Sequence, residues 1–551
     1  MVQEFERPDL PGQLPAKKDI RRGADVVRER KILVDDLDSG ASGVQRPVES
    51  MLRFDNSMPT ATRFDPRLPN FRMPAPGSPR FSRATARPLP ENEADIAFAS
   101  IGELAGWISA GALTSRRLTE IYLSRIDMLG PKLECFATVT AERALAEADA
   151  ADALMRGGVN LGPLHGLPYG LKDLFDTAGI PTGWGAEPYR DRVPAADATL
   201  VRKLRVAGAV LLGKTTVGAL AYNDIWYGGW TRNPWNLNEG SSGSSAGSAS
   251  AAAAGLCAFS IGTETLGSIT SPSQRCGTTG LRPTFGRVSR AGGMALCWSL
   301  DKIGPICRFV EDTGFVLAAI NGGDGADRFS IEAPFRFDAG ADISGMKLGY
   351  LPEAFGEGAT DVDHAALAAS RRLGVEVVEV SLPPLPYEAL MNVLYAEAAA
   401  AFEDLTLSDL DDTLKWQGDG AWPSTFRKAR FLSAVDHVQL DRLRYQVMLA
   451  LDELFGKVDA VIGPFMTGPM LIASNFTGHP CLHLRAGFLE LATRGAASFG
   501  SGKLTTGEPE GAPRLSKAML PRTAMCFCRG LPSMQKLSTR TARRQSPRRF
   551  P

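Results

Sequence analysis

Apolar residues recur at helical spacing from position 100 onward, and short apolar runs interrupt them. Ser100-Ile-Gly-Glu103 has the pattern of a capping box, in which each end residue satisfies the other's backbone N–H. Leu118, Ile121, Tyr122, Ile126 and Leu129 then form one apolar helical stripe, and an Ala-rich helix is predicted over about 139–156. Strands are predicted at LPYGLK (about 167–172) and AVLLG (about 209–213), with helical ATLVRKLRVAG just before the second. MKLGYL, VEVVEVSL and VDAVIGPF add further strands, and long helices are predicted at about 363–373 and 427–455. This alternation predicts an α/β fold, a mixed or parallel sheet covered by helices.

Both ends depart from that texture. Residues 1–95 hold twelve prolines by position 90 and keep no helical or strand period, so they read as an extended or disordered arm. After Glu510 no acidic residue occurs, and the atypical basic tail of 491–551 is read as unfolded rather than as a nucleic-acid or lipid site. The catalytic domain is placed between them, over 96–490.

Composition narrows the classes. The 551 residues carry 61 basic and 61 acidic side chains, so no global field favours nucleic acid or an anionic membrane. The apolar runs fall far short of a bilayer-spanning helix, and the amino terminus lacks a signal pattern. RRGADVV has the paired arginines of a twin-arginine signal, but nothing apolar follows it. Eight scattered cysteines suit a reducing compartment, and the lone Cys526-x-Cys528 pair does not make a zinc site. A cytoplasmic location is expected.

The candidate chemistry lies in three segments: HGLPYGLKDLFDT, EGSSGSSAGSAS and GTETLGSITSPS. They place Lys172, Ser244 and Ser268 in order along the chain. A serine nucleophile needs a base, and a lysine is a base only when neutral, a state favoured by burial among uncharged hydroxyls. Small residues around Thr265, Leu266, Gly267 and Ser268 allow a tight turn whose backbone N–H groups converge on one concavity, an oxyanion hole. Ser244 and Ser245 are both placed to relay a proton. A linker would explain the Ser/Gly run, but AGSASAAAAGLCAFSIG follows it directly, as a helix and then a strand. For Lys172 alone, a solvent-exposed ion pair with Asp173 would be the simpler reading; the combination of segments overrides it.

Two motifs compete and are set aside. GAVLLGKT at 208–215 fits the Walker A pattern, but its middle residues are a strand, so Lys214 reads as the end of a buried strand. GSSAG at 243–247 fits the nucleophile elbow, but polar NPWNLNEGSS precedes it instead of a buried strand. His364, His437, His479 and His483 are the downstream histidines that a triad could use, and none carries a special signal.

Over roughly 97–490 the chain resembles the amidase signature family. RNPWNLNEGSSGSSAGSASAAAAGLCAFSIGTETLGSITSPSQRCGTTGLRPTFGRVSR resembles its Gly/Ser signature, SLDKIGPICR the block after it, and PLHGLPYGLKDLFDTAGIPTGWG its lysine block. The resemblance implies Lys172 as base, Ser244 as bridging serine after a cis peptide bond, and Ser268 as nucleophile. It also implies a single large domain around a central mixed sheet of about ten or eleven strands. Hydrolysis would run through an acyl-enzyme with no metal and no cofactor. Where the family has Asp, a Gly pair and Arg around its nucleophile turn, this chain has Glu264, Leu266 and Thr270, so the local ion pair must be rebuilt. Family members end in a strand and helix that 511–551 does not display.

The function expected is a stand-alone amidase acting on a small-molecule amide, with no nucleic acid or membrane partner and a homodimer left open. The alternatives are the amidase subunit of a tRNA-dependent amidotransferase and a non-catalytic member of the family. Tyr222, Trp226, Tyr227 and Trp230 lie between strand and serine loop. The first three, with Ser245, are the candidates for a substrate cleft, and the aromatics read equally well as ordinary core.

Overall fold

The computed structural model describes residues 55–69, 71–82, 87–465, 468–493 and 517–528. The strands, in chain order, are β1 (Phe136–Val139), β2 (Pro168–Lys172), β3 (Val210–Thr215), β4 (Ile225–Trp226), β5 (Gly229–Trp230), β6 (Arg232–Asn233), β7 (Asn236–Gly240) and β8 (Phe259–Glu264). They continue with β9 (Thr279–Arg282), β10 (Lys302–Cys307), β11 (Lys347–Tyr350), β12 (Glu376–Glu379), β13 (Ala460–Pro464), β14 (Cys481–Ala492) and β15 (Lys517–Cys528). Eleven of them form one sheet in the order β1-β3-β2-β8-β10-β9-β14-β15-β13-β11-β12, while β4/β5 and β6/β7 are separate two-stranded ribbons. The sheet is mixed: β2 runs parallel to β3 and β8, and β11 parallel to β12 and β13, with antiparallel pairs between.

The predicted elements form for the reasons read from the sequence. Ser100 caps the helix Ile101–Ser109, its hydroxyl accepting from Glu103 N while the Glu103 carboxylate accepts from Ser100 N. In the helix Ser115–Leu133 the predicted stripe turns inward: Leu118, Ile121, Tyr122 and Ile126 are buried, and Leu129 packs at the edge of the same core. β2, β3 and β8 are buried on both faces, so they read as apolar runs without alternation. The helix expected over 427–455 is two helices, Trp422–Ala429 and Ala434–Lys457. Ser433 caps the second by accepting from Asp436 N, which restarts the helix after a break.

The tail corrects an expectation. Lys517–Cys528 is a strand inside the sheet, paired with β14 along its length and with β13 through Ala524–Cys528. Ala524, Met525, Cys526 and Phe527 are all buried, a short two-face-buried run that basic flanks obscured. Pro521 is tolerated because it lies in the part of β15 that β13 does not reach, where its missing N–H leaves no second ladder short. The remainder of the tail lies outside the described residues.

The arm, where described, is extended but packed. Phe64 meets Phe285 edge-on and lies under the Arg444 guanidinium, and Phe81 stacks on Phe315 and Phe337. Side chains placed singly leave no periodic signal. Residues 1–54 lie outside the described residues.

Candidate active site

β2 ends in Lys172, whose side chain is wholly buried beside the N-terminal end of the helix Ala246–Ala253. Its Nζ lies 2.8 Å from Ser244 Oγ, 2.8 Å from Thr263 Oγ1 and 3.1 Å from Ser245 Oγ. The Thr263 carbonyl is 3.4 Å away. Burial pushes the Lys172 pKa well below the ordinary lysine range, against the opposing pull of Asp301 and Glu264. Asp173 does not pair with it. That carboxylate faces Lys214, 3.3 Å away at the end of buried β3, where Lys214 also donates to Phe175 O and Thr182 Oγ1. Lys214 is therefore a strand-end lysine with its hydrogen bonds spent inside the protein.

One neighbour of Lys172 has its donor and acceptor roles fixed by other bonds. Ser245 Oγ donates to Thr263 O at 3.1 Å and accepts from Thr263 N at 3.2 Å, so its one proton is committed. Toward Lys172 it is an acceptor. A neutral lysine has two N–H bonds and one lone pair; Ser245 Oγ can take only an N–H, and Ser244 Oγ and Thr263 Oγ1, each 2.8 Å away, are left to share the other N–H and the lone pair. Ser245, read from the sequence as a possible relay beside the bridging Ser244, therefore has no proton free for Lys172.

The loop that carries them is tightly held. The Gly243–Ser244 peptide bond is cis, and a Cβ on Gly243 would stand 1.8 Å from the Asn223 carbonyl oxygen, so only glycine fits. Ser242 N donates to Asp224, whose carboxyl is raised by burial to about 6. Ser245 N donates to the Ser268 carbonyl at 3.1 Å, joining this loop to the second serine segment.

That second segment leaves β8 at Glu264 and turns through Thr265, Leu266 and Gly267 to Ser268. Gly267 has φ +83°, a left-handed conformation that favours glycine. Ser268 retains 7% exposure, whereas Lys172 and Ser244 have none. Two carboxylates brace the turn. Asp301 Oδ1 accepts from Thr265 Oγ1 at 2.6 Å, and its Oδ2 accepts from the backbone N–H of Leu296 and Cys297. Glu264 Oε2 accepts from Ile269 N and Thr270 N, both at 2.9 Å, and its Oε1 pairs with Arg282 Nη1 at 2.6 Å. Burial would raise the Glu264 pKa, but Arg282 and the backbone donors outweigh it and hold it at about 2. The ion pair that Thr270 cannot make is thus rebuilt from Arg282 on β9.

Thr263, Asp301 and Arg282 were not singled out from the sequence. Thr263 stands in the signature segment, but a threonine one residue before an acid carries no signal of its own. Asp301 and Arg282 lie in blocks quoted for their resemblance, and only the tertiary fold brings them to the turn.

Tyr222 stacks on Trp416 with ring centroids 5.0 Å apart and, with Trp226, lines a small pocket that also touches Glu187, Ala219 and Trp422. Tyr227 packs edge-on to Trp226 and carries Arg190 over its ring. Ser245 belongs to the lysine cluster. A larger cavity of about 380 Å³ is lined by Thr263 and Thr265 but not by Lys172, Ser244 or Ser268.

Residues 117–482 match the family model described as Amidase. A glutamyl-tRNA(Gln) amidotransferase subunit from Geobacter metallireducens is 35% identical over 412 residues, covering 69% of this chain and 85% of that one. The same subunit from Methylococcus capsulatus is 34% identical over 439 residues, 71% and 90% of the two chains. The solved peptide amidase of Stenotrophomonas maltophilia superposes with a TM-score of 0.66 at 28% identity, covering 82% of this chain and 98% of that one. These relatives overturn one expectation. A small-molecule amide as partner, with nucleic acid excluded, does not agree with relatives named for a tRNA and as one subunit of an amidotransferase. The neutral charge balance misled, because it reports a global field and is silent about a local docking face. Among the described residues no helix is long and apolar enough to cross a membrane. With the model matched across most of the sheet and both serine segments, the chain belongs to the amidase signature family.

Proposed function

We propose that this chain breaks a carboxamide C–N bond through an acyl-enzyme on Ser268, as the amide-cleaving subunit of a tRNA-dependent amidotransferase. The observation that carries the chemistry is the Lys172 cluster: a fully buried lysine whose hydrogen-bonding neighbours are hydroxyls and a carbonyl, with Ser244 Oγ at 2.8 Å. In this reading Ser268 Oγ attacks the amide carbon while its proton passes to Ser244 Oγ and the Ser244 proton passes to neutral Lys172. The carbonyl oxygen becomes an oxyanion, met by the backbone N–H groups of Thr265, Leu266, Gly267 and Ser268. As the C–N bond breaks, the proton returns through Ser244 to the leaving nitrogen, which departs as ammonia or an amine. Water then attacks the acyl-serine ester by the same relay, releasing the carboxylic acid and restoring the Ser268 hydroxyl.

The relatives' names support the assembly. The test is to express the chain with its genomic neighbours, purify any complex, and assay formation of amidated tRNA. Transfer that requires both the complex and Ser268 supports the reading; amide hydrolysis by the isolated chain, unaffected by tRNA or partners, opposes it. That second outcome would fit a stand-alone amidase, the kind of enzyme named for the solved peptide amidase that shares this fold.

A further inference from the structure

The cavity of about 380 Å³ is of the size that holds a small organic ligand, and one of its walls comes from outside the three signature segments. It is built by Asp55, Asn56, Ser57 and Pro59, the first described residues of the arm. Thr263 and Thr265 also line the cavity, and through them it meets the Lys172 cluster and the turn that carries Ser268. Trp184, Trp298, Phe175 and Phe329 supply aromatic surface to the lining.

This segment is latched rather than loosely laid. Asn56 Nδ2 donates to Ala295 O at 2.9 Å and to Ala401 O at 3.1 Å, and its Oδ1 accepts from Ala295 N at 3.0 Å. One amide group thus ties the arm to a loop preceding β10 and to the end of the helix Met391–Ala401. Asp55 Oδ1 accepts from Ser57 N, which fixes the turn, and Arg328 donates to the carbonyls of Thr60 and Ala61 just beyond the wall. The residues themselves are mostly exposed, so hydrophobic burial does not hold them there; the hydrogen bonds do.

We propose that Asp55–Pro59, positioned by Asn56, is one wall of a chamber leading to the Ser268 turn, and that this wall limits the size of the group that can reach Ser268. This rests on the reading of Ser268 as nucleophile. Asn56 is a positioning residue: it touches the arm and two backbone carbonyls, and acts through where it holds Ser57 and Pro59.

The test compares two phosphorus probes of different size on the full-length chain. Each forms a Ser268 Oγ–P bond, expels fluoride, and sends the serine proton along the Ser244–Lys172 relay. Diisopropyl fluorophosphate is the small probe and an aryl-substituted alkyl fluorophosphonate the bulky one. The readout is the ratio of their second-order labelling rates, bulky over small. Asn56→Ala should raise that ratio at least about fivefold by loosening the wall, and Ser57→Trp should lower it at least about fivefold by filling the chamber. A merely structural role would slow both probes together and leave the ratio alone. Ratios within about twofold of the parent in both variants, with Ser268 still labelled, overturn the proposal and leave the Ser268 reading standing. No labelling of the unaltered chain at Ser268 overturns that reading and the proposal with it.

Discussion

At Lys172 the burial that makes a charge costly is what would make the lysine usable as a base. Surrounded by Ser244, Ser245 and Thr263, the ammonium form finds acceptors but, among the described residues, no carboxylate at ion-pair distance, so the neutral amine is favoured. Because only the neutral form accepts a proton, the rate should rise with pH through this lowered pKa and be lost below it. A kcat/KM profile from pH 5 to 10 checks this, and a profile flat across the whole range opposes a lysine base. Ser268→Ala should cost at least about a thousandfold in kcat with an unchanged melting temperature, since it deletes the attacking oxygen and touches no packing. Glu264 behaves in the opposite sense to Lys172. Its folded pKa of about 2 lies below the ordinary 4.5, so its stabilisation is complete above pH 4.5 and is lost as pH falls toward 2. Arg282→Met should therefore destabilise the protein by roughly 3–5 kcal/mol, leaving a buried carboxylate unpaired, and should flatten the acid limb of its stability profile. The meeting of Lys172 with Ser244, and of the serine loop with the Ser268 segment, was legible in the sequence because the Gly/Ser composition of those loops marked them out. Thr263, Asp301 and Arg282 were not, because each becomes part of the site only when β8, β9 and β10 lie side by side.

The elements that position the site are those whose sequence is least amphipathic. β2, β3 and β8 are buried on both faces, and the helix Ala246–Ala253 is buried at every residue, so small side chains alone let it sit behind the serine loop. Their signal was an apolar run bounded by glycine, and it placed them well. β15 carried the same kind of signal in Ala524–Phe527, yet the arginines and prolines around it favoured an unfolded reading. Pairing on both sides makes this strand part of the core, and Met525 is 1% exposed within it. Met525→Ala should accordingly cost about 2–5 kcal/mol in a denaturant titration, as for a large-to-small change in any packed core. A loss below about 0.5 kcal/mol would mean that β15 contributes little to stability. The single expected helix over 427–455 failed for a local reason: Ser433 offers its hydroxyl to Asp436 N and begins a new helix where apolar spacing alone runs on.

Over the whole molecule, the eleven-stranded sheet of the described residues carries the Lys172 cluster, the Ser268 turn and a cavity whose lining comes from distant parts of the chain. Asn56 reaches Ala295 and Ala401, so the arm is joined to the domain at the edge of the chamber. Removal of residues through 90 would strip that wall together with the Phe64 and Phe81 contacts, and such a truncation should lower the melting temperature relative to the full chain. An unchanged melting temperature would show that these contacts add no net stability. The same assignments converge on one claim, that Ser268 supplies the oxygen of the acyl-enzyme. Its most direct test is intact-protein mass spectrometry after treatment with a fluorophosphonate, followed by peptide mapping. The account predicts one adduct, on the peptide containing Ser268, absent in Ser268→Ala and slowed in Lys172→Ala; an adduct on another residue, or equal labelling of Ser268→Ala, would contradict it.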